Sequence, residues 1–110
     1  MPRFRLAIVV AVFVLALGAI GAAVAAANGG SAITIDNFTF SPPTITIPAG
    51  ATVTWTNRDD TPHTVRAVDG AFHSKAMDTA ESYSFTFAKP GVYRYFCSLH
   101  PKMVGQVIVK

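Results

Sequence analysis

The sequence predicts an all-β fold, an antiparallel Greek-key β-sandwich behind an N-terminal signal or anchor segment, and three observations carry that prediction. After Ala27 the chain breaks into short runs rich in Ile, Val, Thr, Phe and Tyr, each bounded by Pro, Gly, Asn or Asp. No segment in that part has a helical period. The runs also follow one another too closely to leave room for crossover helices, so neighbouring strands must be joined by turns.

The first 27 residues stand apart from this pattern. Met1 to Arg5 carries two arginines, Leu6 to Leu17 is an unbroken apolar run, and Ala25-Ala26-Ala27 supplies small residues of the kind a signal peptidase requires. Residues 1–27 therefore read as an export signal. Because no charge interrupts Leu6 to Ala27, the rival reading is an uncleaved membrane anchor, and only then would the protein touch a membrane. Bulky side chains fade after Leu17, which favours cleavage. Either reading places the domain in the periplasm or another extracytoplasmic space. Residues 28–31 form a polar, glycine-rich linker, and 32–110 the domain.

Within the domain, Ala32 to Phe40 alternates Ile33 and Ile35 before Phe38 and Phe40. Thr44 to Ile47 follows the Pro42-Pro43 break, and Ala51 to Asn57 alternates Val53 with Trp55. His63 to Val68, Ser82 to Phe87, Val92 to Phe96 and Gln106 to Val109 bring the predicted strands to seven. Pro48-Ala49-Gly50 and Lys89-Pro90-Gly91 are turn sequences. Asp69 to Glu81 is the long irregular stretch, a loop or one helical turn. Trp55 is expected in the core, Asp59-Asp60 as a solvated turn, His73 as a solvated loop residue, and Met77 as a packing or surface residue.

Composition then narrows the function. Without Arg3 and Arg5 the formal charge falls from +3 to +1. No cluster of Lys and Arg with interleaved aromatics remains, so nucleic-acid binding is set aside. A domain this small buries a modest fraction of its surface, and exported domains of the size often add disulfides or a metal. Cys97 is the single cysteine, which forbids an internal disulfide. A lone thiol in an oxidising compartment is buried, paired with another chain, or bound to a metal.

The residues after Cys97 point to the last of these. In Cys97-Ser98-Leu99-His100-Pro101-Lys102-Met103 a thiol, an imidazole and a thioether recur at intervals of three. On a tight loop all three side chains can turn toward one point, whereas a straight strand would alternate them between faces. His63, just after Pro62 at the start of another predicted strand, supplies a second imidazole. Two imidazoles, one thiolate and a weak axial thioether are the donor set associated with mononuclear blue copper.

At these residues the chain resembles the cupredoxins, and among them the small amicyanin-like and plastocyanin-like members, over nearly all of Ile33 to Lys110. The resemblance lies in Thr54-Trp55-Thr56-Asn57, in Pro62-His63, in Tyr93 to Phe96 leading into the Cys97 to Met103 loop, and in Gly105-Gln106-Val107-Ile108-Val109. Two residues between successive loop ligands match the short loop of amicyanin-like members. The resemblance implies one type 1 copper ion with His63, Cys97 and His100 as equatorial ligands and Met103 axial. It also implies that the Asn57 side chain ties the two ligand loops together, that a nearby backbone N–H donates to the Cys97 sulfur, and that the edge of His100 reaches the surface as an exit for the electron. Phe96 stands where amicyanin-like members carry a histidine, and Lys102 where an apolar residue is usual; both departures bear on the docking partner.

A metal held by four protein donors has no open position for substrate, and no Ser/His/Asp or paired-carboxylate arrangement offers other chemistry, so no enzyme is expected. The expected function is a monomeric carrier that passes single electrons between redox donor and acceptor proteins, which dock transiently near His100, Pro62, Pro101 and Lys102. Two other readings stay open: a protein that stores or delivers copper or confers resistance to it, and a structural sandwich that binds zinc or nothing.

Overall fold

The computed structural model describes residues 30–110. The expected signal or anchor at 1–27 lies outside the described residues. Eight strands follow: β1 Ser31–Asp36, β2 Thr39–Ser41, β3 Thr44–Ile47, β4 Thr52–Asn57, β5 Arg66–Ala67, β6 Ser82–Thr86, β7 Gly91–Cys97 and β8 His100–Val109. They form two four-stranded sheets, ordered β2-β1-β4-β6 and β3-β8-β7-β5. No helix occurs among the described residues, and the all-β sandwich expected from the sequence is the fold found.

Four of the six strand pairings are antiparallel; β1 with β4 and β3 with β8 are parallel. The parallel pairs arise because β3 leaves the first sheet for the second. The chain then returns to lay β4 alongside β1 rather than opposite a hairpin partner. Alternation sorts the faces. In β4, Val53, Trp55 and Asn57 are buried, while Thr52, Thr54 and Thr56 face outward and pair their hydroxyls with Thr86, Ser84 and Ser82 of β6, each at 2.8 Å.

Between the sheets Trp55 packs edge-on against Tyr95, with ring centroids 5.4 Å apart, and is flanked by Phe72 and Tyr83. Ile33, Ile35, Phe40, Phe87 and Val107 complete this core. Gly105 sits inside β8 opposite Tyr95 rather than restarting a strand. A Cβ there would overlap the Tyr95 ring and hydroxyl, so only glycine lets the ring lie flat on the sheet.

Three segments depart from the sequence expectation. The run from Ala32 to Phe40 is split by a turn at Asn37 and Phe38, whose φ angles are 54° and 57°, and Phe38 is 45 % exposed. The strand expected from His63 to Val68 shrinks to Arg66–Ala67, because the neighbouring residues bond the long irregular stretch instead. His63 exchanges two backbone hydrogen bonds with Met77, and the N–H of Ser74 donates to the carbonyl of Val65. That stretch is thus neither a loose loop nor a helical turn; it closes over the sheet edge and buries Phe72 and Met77, while His73 stays exposed. Finally, β8 starts at His100 instead of Gln106, leaving Ser98-Leu99 as the turn after Cys97.

Candidate metal centre

Cys97 closes β7 at a register irregularity between Phe96 and Cys97, and its side chain is fully buried. The irregularity lets the chain reverse at Ser98-Leu99 and bring His100 directly opposite Cys97. His63, on the segment between β4 and β5, is also fully buried, and its Nδ1 lies 3.8 Å from the Cys97 Sγ. His100 is half-buried, its ring centroid 5.2 Å from that of His63. Met103 points inward from β8 and shares the lining of a shallow surface cleft with His100 and Phe38.

Each of the two buried donors is oriented. The Asp59 carboxylate lies 2.8 Å from His63 Nε2 and is 10 % exposed. A proton on Nε2 donated to that carboxylate leaves the lone pair of Nδ1 facing the sulfur. On the other side, the backbone N–H of Thr64 donates to Sγ at 3.3 Å, and the Thr64 hydroxyl lies 3.8 Å from the same atom. Ser98 closes the arrangement, its N–H donating to Thr64 Oγ1 at 2.7 Å.

These contacts correct two expectations. Asp59 belongs to no solvated turn, because its carboxylate also accepts the N–H groups of Asn37 at 2.6 Å and Phe38 at 2.9 Å. Burial pushes this carboxyl up, but the N–H groups of Phe38 and Asn37 and the His63 ring outweigh burial and hold it below its ordinary 3.8. Asn57 does not tie the two ligand loops together. Its amide donates to the carbonyls of Thr61 and Met77, and its side-chain oxygen accepts from Asp59 N–H, so it braces the loop that carries Asp59 and His63. The tie between the His63 segment and the Cys97 turn is Thr64.

Phe38 adds a third element. Its ring meets His63 at a centroid distance of 5.0 Å and His100 at 4.9 Å, edge-on in both cases. Reading the chain alone does not find Asp59, Thr64 or Phe38, although one signal for Phe38 was present. Apolar positions run odd at Ile33 and Ile35 and even at Phe38 and Phe40, a parity change that one unbroken strand with a single apolar face forbids.

Whether the residues fit a metal can be tested on the closed pair. Bonds of about 2.0 Å to nitrogen and about 2.3 Å to sulfur, meeting at about 120°, span about 3.7 Å. The Nδ1 to Sγ separation is 3.8 Å. Among the described residues no three His, Cys, Asp or Glu side chains close on one point, so His63 and Cys97 form the closed pair and His100 stands at its rim. Imidazole nitrogen and soft sulfur together suit copper, and the donor set fits it.

Comparison with known proteins agrees with this chemistry. A family model described as a cupredoxin-like domain matches residues 5–109. Amicyanin-alpha of Methylorubrum extorquens is 37 % identical over 101 residues, covering 87 % of this chain and 85 % of its own. Among solved structures, the Cu(I) form of a methionine-to-alanine mutant of amicyanin superposes with a TM-score of 0.71 at 34 % identity, covering 74 % of this chain and 83 % of that one. A purple cupredoxin from Nitrosopumilus maritimus gives a TM-score of 0.68 at 37 % identity, covering 73 % of this chain and 99 % of its own. In sequence, in fold and in the residues gathered at one end of the sandwich, this chain belongs to the cupredoxin-like family.

Proposed function

We propose that this protein is a small exported blue copper protein that shuttles single electrons between redox partners, its one type 1 copper ion held by His63, Cys97, His100 and Met103. The observation that carries the reading is the oriented pair: His63 Nδ1 faces Cys97 Sγ at 3.8 Å while Asp59 occupies the far ring nitrogen. When bound, copper supplies a one-electron Cu(I)/Cu(II) couple. The protein supplies the rest. Asp59 fixes the tautomer and angle of His63, and the Thr64 N–H stabilises negative charge on the sulfur. Burial of His63, Cys97 and Met103 keeps water away, and four protein donors leave no position for a substrate.

The half-buried His100 supports the exit route. Phe38 and Leu99 are exposed beside it, with Pro101 and Lys102, so an apolar rim with one cation surrounds the imidazole. Donor and acceptor proteins dock there briefly, as redox encounters do. The protein is a monomer, and residues 1–27 are its export signal. The copper-handling alternative draws on the same exposure, since a ligand at the surface is open to an incoming acceptor.

A visible absorption spectrum recorded during titration with Cu(II), with Cys97→Ser as control, tests the site. An intense band that saturates at one copper and is lost in the control supports it; a colourless protein overturns it. Fast reversible reduction without copper loss then separates a carrier from a protein that hands copper to an acceptor.

A further inference from the structure

The two imidazoles of this site are held in different ways. The His63 ring is tethered through Nε2 to Asp59 at 2.8 Å. Among the described residues the His100 ring makes no hydrogen bond. Besides the His63 ring at 5.2 Å, what meets it is Phe38, at a centroid distance of 4.9 Å and an interplanar angle of 82°. The same ring meets His63 at 5.0 Å and 89°. One aromatic side chain is therefore wedged against both imidazoles.

Holding a phenylalanine there requires an unusual backbone. Asn37 and Phe38 have φ angles of 54° and 57°, the left-handed region that a bulky side chain rarely adopts. Asn tolerates it; Phe does not favour it. The turn is pinned by the Asp59 carboxylate, which accepts both of its N–H groups at 2.6 and 2.9 Å, and by Thr39, whose hydroxyl donates to the Asn37 carbonyl at 3.1 Å. Thus one carboxylate orients His63 and clamps the residue that leans on His100. A strained aromatic at a functional site, over-determined by its surroundings, calls for a role.

From this arrangement we infer that Phe38 is a positioning residue for His100: clamped by Asp59, its ring restricts rotation of the imidazole and screens that side of the site from water. The carboxylate orients His63 by a hydrogen bond, whereas Phe38 restrains His100 by ring packing alone. The inference rests on the ligand assignment under Proposed function. It further implies that the β1–β2 turn, remote in sequence from every donor, sets how long copper stays bound.

The test uses the full chain and three variants. Phe38→Tyr keeps the ring. Phe38→Asn keeps the left-handed turn and removes the ring. Phe38→Gly removes both ring and backbone strain, and so guards against a failure to fold. Two quantities are read: the rate of copper loss to a chelator, and the NMR relaxation of the His100 ring protons in the metal-free protein. Copper loss roughly tenfold or more faster in Phe38→Asn and Phe38→Gly, with a more mobile His100 ring and both properties retained in Phe38→Tyr, is the expected result. Unchanged release and unchanged ring order in the two ring-less variants overturn it. If the parent protein binds no copper, the ligand assignment falls, yet the relaxation measurement still reports whether Phe38 holds His100.

Discussion

His63 Nε2 lies 2.8 Å from a carboxylate oxygen of Asp59, four residues earlier in the chain, and this contact leaves Nδ1 facing Cys97. An imidazole so held presents one nitrogen to a metal without searching for its orientation. Removing the carboxylate with Asp59→Ala is expected to weaken copper binding by about 10- to 100-fold, the usual cost of losing such a partner. Competition against a chelator of known affinity measures it, and an unchanged affinity would remove Asp59 from the site.

The same carboxyl should make the fold sensitive to acid. Its pKa is lowered in the folded protein, so its contribution to stability is complete above the ordinary 3.8 and fades as pH falls through the folded value. In metal-free protein, Asp59→Asn should flatten the loss of stability below about pH 4. Parallel acid-unfolding curves for the two proteins would contradict this.

Thr64 makes a separable pair of contacts. Thr64→Val keeps the N–H donated to Sγ at 3.3 Å but deletes the hydroxyl that accepts from Ser98 and lies at a longer 3.8 Å from the sulfur. A loss of about 1 kcal/mol is expected, or about 4–8 °C in Tm for a domain of this size, with the thiolate-to-copper band retained. Loss of that band in Thr64→Val would mean that the hydroxyl, and not the N–H, governs the sulfur.

Tyr95 is buried with its hydroxyl unpartnered, as is Trp55 Nε1. Burial pushes the phenol up from 10.0 to about 12; the nearby Trp55 N–H offsets part of that rise without completing a hydrogen bond. Because the folded pKa lies above the unfolded one, stability is complete below pH 10 and is lost as pH climbs from 10 toward about 12. Tyr95→Phe should remove that alkaline slope while costing little at neutral pH, since no hydrogen bond is given up. Denaturant titrations of both proteins across this range decide it.

Gly105→Ala places a methyl group where the Tyr95 ring lies. Destabilisation of roughly 1–3 kcal/mol is expected, and less when Tyr95 is shortened to Leu in the same chain. Strict additivity of the two changes in thermal unfolding would show that the ring and the glycine are not in fact fitted to one another.

At the surface, Lys102 is exposed on the rim next to His100. Lys102→Glu should alter the rate of electron transfer to the natural partner and its dependence on salt, leaving the copper spectrum unchanged. Stopped-flow kinetics at several ionic strengths would expose an indifferent rim.

Much of this architecture is legible in the chain because it follows from local alternation. Val53 and Trp55 face inward, and Thr52, Thr54 and Thr56 outward, for no reason beyond the two-residue period of a strand. The candidate donors are legible for a similar reason, since Cys97, His100 and Met103 lie close together and a lone cysteine in a chain read as exported demands an explanation. Asp59 was hidden because an Asp-Asp pair before a Pro looks like any solvated turn until Asn37 and Phe38 arrive from 21 or 22 residues away. Asn57 was misplaced because its amide could reach several carbonyls, and only the closure of the Met77 segment selects among them.

By itself, then, the sequence determined the fold class, the inward and outward faces of the strands and the chemical character of the candidate donors, since each depends on residue type and short-range spacing. The tertiary structure alone decided that Asp59 serves both His63 and the Phe38 turn, that Thr64 rather than Asn57 reaches Cys97, and that Phe38 leans on two imidazoles. Those relationships join residues from 4 positions apart, as Asp59 and His63, to 62 apart, as Phe38 and His100, and they exist only when packing of the two sheets brings the β1–β2 turn, the His63 segment and the Cys97 turn to the same end of the sandwich.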